Sequence, residues 1–175
     1  MINDVCSELI AGNVDLLEQA LTLLSLIDDA AFSTSPKDLE PRRVGSHIRH
    51  TLEFYDCFLN GLESSHVDYD ARKHDETVAR NRDAALERIH ATIRRLRALP
   101  SIPGEQALAV RIEGGDPDIS LKSSVGRELQ ALSSHTIHHF ALIAVTLRIH
   151  GVEVDPNFGM SPSTLKFQAG KLETR

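Results

Sequence analysis

Ser133-Ser134-His135-Thr136-Ile137-His138-His139-Phe140-Ala141-Leu142-Ile143 holds three of the chain's nine histidines within five residues. Around it, Leu129, Leu132, Thr136, Phe140, Ile143 and Leu147 recur at steps of three and four, the period of an α-helix with one apolar stripe. His135 and His139, at i and i+4, point the same way one turn apart. They fall on the flank of the stripe and are expected to be partly buried. A buried imidazole needs partners for both ring nitrogens, and two neighbouring imidazoles meet that need by sharing one metal ion. The same spacing also occurs on ordinary helix surfaces and in cores satisfied by backbone or water. A metal site therefore requires a third ligand from elsewhere in the chain.

Working outward, Ser123 or Ser124 is a candidate N-cap for this helix. Glu128 lies early in it, near the positive end of the dipole. The helix is expected to run to about His150, with Gly151 as its C′ residue. Before it, Ala107–Ile112 and Ile119–Leu121 flank Gly114-Gly115-Asp116-Pro117, which predicts a hairpin. A first helix is predicted from Asn3 or Asp4 to about Asp28–Ala31. Its stripe is Val5, Leu9, Ile10, Val14, Leu17, Ala20, Leu21, Leu24 and Ile27. After a loop through Ser35-Pro36, a second helix starts near Pro41 and runs through Val44, Ile48, Leu52, Tyr55, Phe58 and Leu59 to Asn60-Gly61. Residues 62–75 read as a structured loop. A third helix spans Glu76 to Leu99, with Ala84, Ile89, Ile93, Leu96 and Leu99 inward and Pro100 ending it. The tail after Val152 reads as a turn leading into a short helix. Four long amphipathic helices and a small hairpin predict an all-α fold: one domain, residues 1–175, built as an antiparallel four-helix bundle.

Composition narrows the function classes. The net charge is −6, and the densest basic patch, Arg94-Arg95-Leu96-Arg97, shares its helix with Asp83 and Glu87. It reads as a solvated face, which disfavours nucleic acid. No apolar run reaches the ~20 residues of a membrane span by inspection, and the acidic N-terminal residues are unlike a signal peptide. Cys6 and Cys57 form no CxxC. A reducing cytoplasm is the expected setting.

The third ligand is sought on the second helix, in Val44-Gly45-Ser46-His47-Ile48-Arg49-His50-Thr51-Leu52-Glu53. By helical angle alone His47 lies nearer the apolar stripe, so geometry favours it or leaves a tie with His50. One histidine near the start of the second helix, followed far downstream by HxxxH or HxxHH in the last long helix, resembles the DinB/YfiT-like superfamily. In that pattern the first histidine stands six residues after a Val-like position. Counted from Val44, that is His50; the pair then matches His135 and His139. The resemblance covers roughly residues 40–60 and 120–165. It implies a four-helix bundle holding a metal on His50, His135 and His139, and the family's members include metal-dependent hydrolases and thiol-S-transferases using low-molecular-weight thiols. The aromatic residue usual before the second-helix motif is replaced by Arg42-Arg43. Asp68–Arg72 and Phe158–Thr164 look like features of a branch with no assigned substrate.

Three neutral imidazoles suit Zn, Ni or Fe and leave a position open, the mark of a catalytic rather than a structural site. Such a site activates water near pH ~7 or, equally, a thiol. The expected partner is a small-molecule substrate, such as a low-molecular-weight thiol. Arg72 is a candidate carboxylate or phosphate clamp, set against a loop salt bridge with Asp68, Asp70 or Asp75. Tyr69 is a candidate hydrogen-bond donor or a packing residue. Glu53, Ser134 and Glu128 are candidate partners for the ligand rings. Cys57, i+7 from His50, reads as a buried apolar residue more than a nucleophile. His138 points away from the stripe and reads as a neighbour. A di-iron bundle would use ExxH pairs such as Glu63/His66 and Glu87/His90, but the long histidine helix lacks the matching carboxylates. The rival reading is a metal-binding or interaction protein without turnover. A homodimer is compatible with the remaining apolar faces.

Overall fold

A computed structural model describes residues 3–34, 43–116 and 118–173. Among these the chain is mostly helical, with seven α-helices and one three-stranded sheet. Four helices are long: α1 (Asn3–Leu26), α3 (Val44–Gly61), α5 (Arg82–Arg97) and α6 (Val125–Ile149). α1 and α3 each pack against both α5 and α6. Between them lies one core, in which Leu17, Leu24, Ile48, Phe58, Ile89, Leu132 and Phe140 are sealed from solvent. The predicted start of the second helix at Pro41, and the loop before it, lie outside the described residues.

The first helix ends earlier than its periodicity predicts. Asp28 accepts the backbone N–H of Ala31 at 2.8 Å and so starts a separate short helix, α2 (Asp29–Ser33). Val5, expected in the buried stripe, is 58 % exposed, and Cys6, Leu16 and Leu23 are buried instead. From Val5 to Leu26 this helix is long and apolar enough, by length and composition, to cross a membrane, a feature the inspection of apolar runs missed. Here it is a core helix against α5 and α6.

The predicted third helix is two helices, α4 (Glu76–Arg80) and α5. Asn81 between them is extended, and its side chain accepts the N–H of Ala84 at 3.0 Å, capping α5. Asparagine competes with the helical backbone in this way, and periodicity does not register it. The next residue, Arg82, donates to the carbonyls of Leu24 (2.9 Å) and Ile27 (3.1 Å) and to Asp29 (2.7 Å). A cation at the carbonyl end of α1 complements its dipole and ties the chain break to that helix end. Ala84 is only partly buried, and Ala85 takes the core position. Further along, Arg95 pairs with Asp56 and Arg97 with Glu18, so the basic patch is an ion-paired face.

The hairpin forms as β2 (Ala107–Arg111) and β3 (Ser120–Ser124), antiparallel, with Val110 opposite Leu121. A third strand, β1 (His66–Val67), pairs parallel with β2. The 62–75 segment is therefore partly strand, with a 3-10 turn at Tyr69–Ala71. β3 runs directly into α6, whose N-cap is Ser124. Gly151, at φ +73, closes the far end, with Val152 N–H reaching the Leu147 carbonyl at 3.0 Å. The tail forms α7 (Pro162–Glu173).

Gly45 sets how closely α3 approaches its neighbours. A methyl there would lie 2.7 Å from the Phe32 ring and inside contact distance of the Ala79 carbonyl. Gly45→Ala is expected to cost roughly 1–3 kcal/mol of overpacking, against the ~1 kcal/mol that alanine gains in helix propensity. Gly12→Ala, with open space around it, is expected to stabilise. Urea denaturation of both variants checks this; equal gains would show that the approach at Gly45 is not tight.

Candidate metal centre

The packing of α3 on α6 brings His50 to the pair on α6. His50 Nε2 lies 3.2 Å from His135 Nε2, and His139 Nε2 lies 3.1 Å from the same atom. All three ligand atoms fall within 4.8 Å of one another, and the rings are half-buried. An imidazole Nε2 offers either one N–H or one lone pair in the ring plane. His135 Nε2 therefore cannot make good hydrogen bonds to both neighbours. Three lone pairs around one cation resolve the conflict: ligands ~2.0–2.1 Å from a tetrahedral centre stand about 3.3 Å apart. The donor set fits a divalent metal.

All three histidines are held neutral. Burial first, then the repulsion that a protonated His50 would meet from a protonated His135 and from the Arg72 and Arg49 guanidinium groups, pulls His50 down to about 4. Burial, His138 and Arg72 pull His135 to about 4 against the opposing Glu113; burial and the neighbouring histidines pull His139 to about 3. Lone pairs are thus available at neutral pH. Below the ordinary value of 6.5 the unfolded chain takes up protons that the folded chain refuses, so unfolding binds protons and stability falls as pH drops. The metal-free protein is expected to lose melting temperature between pH 6.5 and 5, above the carboxylate range, with no comparable change from pH 7 to 8. Thermal melts in chelator measure this, and a flat profile would contradict it.

Aromatic rings back the cluster. Phe54 stacks on His135, with centroids 4.0 Å apart, and on Tyr69 at 4.9 Å. The Tyr69 hydroxyl donates to Glu128 Oε2 at 2.8 Å, and Ser123 donates to Glu128 Oε1 at 2.5 Å. Burial and the Glu128 carboxylate push the Tyr69 phenol well above its usual range, so it is a donor and not a base. Arg72 stands over the Phe54 ring, 4.8 Å from guanidinium carbon to centroid. It pairs with Glu113 at 3.3 Å, not with the loop acids; Arg111 takes Asp68 at 2.9 Å. Sequence reasoning missed Phe54, although it stands one turn beyond His50.

Several expected roles are not met. Glu53 does not hold a histidine: its Oε1 accepts the Asp75 N–H at 2.8 Å, and its buried Oε2 has no partner. Ser134 donates to the Gln130 carbonyl. Glu128 reaches the cluster only through Tyr69 and Phe54. Cys57 is buried, and burial, opposed by Arg72, pushes its thiol up to about 11, far from a nucleophile's range. Both cysteines are free. Glu63, His66, Glu87 and His90 are exposed and join no cluster of metal-binding groups among the described residues. His138 is exposed, its ring 5.2 Å from that of His139. His47 does reach the cluster, with Nδ1 2.9 Å from His139 Nδ1. A cavity of about 400 Å³ is lined by Glu53, Cys57, Arg72 and Arg95 among others, and by none of the cluster histidines.

No family model matches the chain. FK506-binding protein 5 of Rhizopus delemar is 35 % identical over 104 residues, covering 57 % of this chain and 27 % of that protein. The match thus spans about a quarter of that relative's length. No solved structure matches.

Proposed function

We propose that this chain is a DinB/YfiT-like four-helix bundle that holds a divalent metal, Zn, Ni or Fe, on His50, His135 and His139 and uses it as a hydrolase or thiol-S-transferase. The observation that carries the reading is the convergence of three neutral imidazole nitrogens, 3.1 and 3.2 Å apart, on one point. A metal bound there supplies Lewis acidity at an open position, enough to activate water or a thiol near neutral pH. The surrounding residues do the rest. Phe54 and Tyr69 fix one wall and keep water off the His135 ring. Arg72, anchored by an exposed Glu113, is placed to turn toward an anionic group of the substrate. The proposal includes a small-molecule substrate, a cytoplasmic setting and no nucleic-acid partner, in line with the net charge of −6. Exposed Val145, Ile149 and Phe167 support a homodimer.

The alternative, a metal-binding or interaction protein without turnover, draws support from that cavity, which none of the cluster histidines lines. The deciding experiment is elemental analysis of untagged protein, followed by thiol-transfer and ester-hydrolysis screens of the loaded form. About one metal per chain with turnover lost on chelation supports the enzyme. One metal without turnover supports the alternative, and no metal after supplementation sinks both.

A further inference from the structure

We infer that His47 is a positioning residue: its neutral imidazole accepts the Nδ1–H of His139 and so fixes the tautomer and ring plane of that ligand. The inference rests on the metal reading above. Nδ1 of His47 and Nδ1 of His139 are 2.9 Å apart, and the ring centroids are 5.2 Å apart with a 42° tilt. At that separation one nitrogen carries a proton and the other a lone pair. His139 Nε2 faces the cluster, 3.1 Å from His135 Nε2. A metal-ligating Nε2 has no proton, so the one ring proton of His139 sits on Nδ1. His139 is then the donor, His47 Nδ1 the acceptor, and the His47 proton lies on Nε2. His47 leaves the first turn of α3 and His50 the next, so one helix supplies both a ligand and the brace for another ligand on α6.

The choice of acceptor has a chemical consequence. A ligand histidine usually donates to a carboxylate, a carbonyl or water, and a carboxylate adds negative charge next to the metal. An imidazole adds none. A divalent cation held by the three rings would keep its full charge, which would favour anionic ligands at the open position.

The test is zinc affinity by chelator competition on wild type, His47→Leu and His47→Asn, with circular dichroism to confirm folding. His47→Leu is expected to weaken binding by about 10- to 100-fold while one zinc still binds per chain. His47→Asn places an amide oxygen where Nδ1 stood and is expected to recover wild-type affinity to within a few-fold. Loss of zinc stoichiometry in His47→Leu would make His47 a ligand and overturn the proposal. Unchanged affinity would overturn it too. Nitrogen-15 NMR of the zinc-loaded protein gives a second readout. His139 should be the Nδ1–H tautomer and His47 the Nε2–H tautomer, and the reverse assignment overturns the inference. If wild type binds no zinc, the metal reading itself fails and this inference fails with it, whereas zinc bound with unchanged affinity in His47→Leu overturns the inference alone.

Discussion

His135→Ala is expected to end stoichiometric metal binding, with affinity falling on the order of 10²–10³-fold. Structural zinc sites bind with ~10–16 kcal/mol, so one of their ligands accounts for about 3 kcal/mol or more. His135 is the strongest choice because its Nε2 is the atom both other ligands approach, at 3.2 and 3.1 Å. The readout is double. Elemental analysis should show the metal gone. The wild-type melting temperature should rise with added metal, as mass action gives about 4 kcal/mol at a thousand-fold excess over Kd, while the variant should not respond. The metal-free melting temperatures of the two should be similar, because alanine also removes a half-buried ring whose Nδ1 has no partner. His138→Ala, altering an exposed neighbour, should leave metal content unchanged. A His135→Ala protein that keeps its metal would refute the triad.

Asn13→Ala is expected to destabilise the fold by about 2–4 kcal/mol, more than a surface change would. Asn13 is fully buried on α1, and its amide donates to the carbonyls of Leu9 (2.8 Å) and Leu129 (3.0 Å). Its carbonyl accepts the Tyr55 hydroxyl at 2.7 Å, and that hydroxyl lies 3.1 Å from Thr136 Oγ1. One side chain thus joins α1, α3 and α6. Removing it cuts the bond that ties the phenol to α1, leaving Thr136 Oγ1 beside a hydroxyl that burial holds protonated far above neutral pH, and it leaves a void. Tyr55→Phe alone should cost less, roughly 1 kcal/mol, and the double variant should cost less than the sum, since each change removes the same bond. Urea denaturation measures all three, and additivity within error would show that the junction is not a unit.

The parts of the fold that periodicity governs were legible. The stripes of α3 and α6 are buried as expected, and Ser124 and Gly151 bound the long histidine helix as expected. Single side chains that redirect the backbone were not: Asp28 and Asn81 each break a helix whose apolar spacing continues past them. The Asn13–Tyr55–Thr136 junction links residues far apart in sequence, and no local pattern announces it. At the cluster, helical angle favoured His47 or left a tie, and the family resemblance pointed to His50. Both reach His139 or its neighbour, but by opposite ring edges. Angle reports the side of a helix a residue occupies; where α3 crosses α6 decides which turn meets which nitrogen. Arg72 misled for a related reason. The acids nearest in sequence are engaged elsewhere: against the upward push of burial, hydrogen bonds from Arg111 and the backbone lower the Asp68 carboxyl, so Arg72 turns to Glu113.

The chain has no tryptophan and two tyrosines. One, Tyr55, is sealed at the three-helix junction; the other, Tyr69, lies on the aromatic stack that ends at His135. Its intrinsic ultraviolet emission therefore comes from two known addresses. Tyr55→Phe isolates the lamp beside the histidines, and Tyr69→Phe isolates the lamp in the core, so occupancy of the cluster and integrity of the bundle can be followed separately in an unlabelled protein.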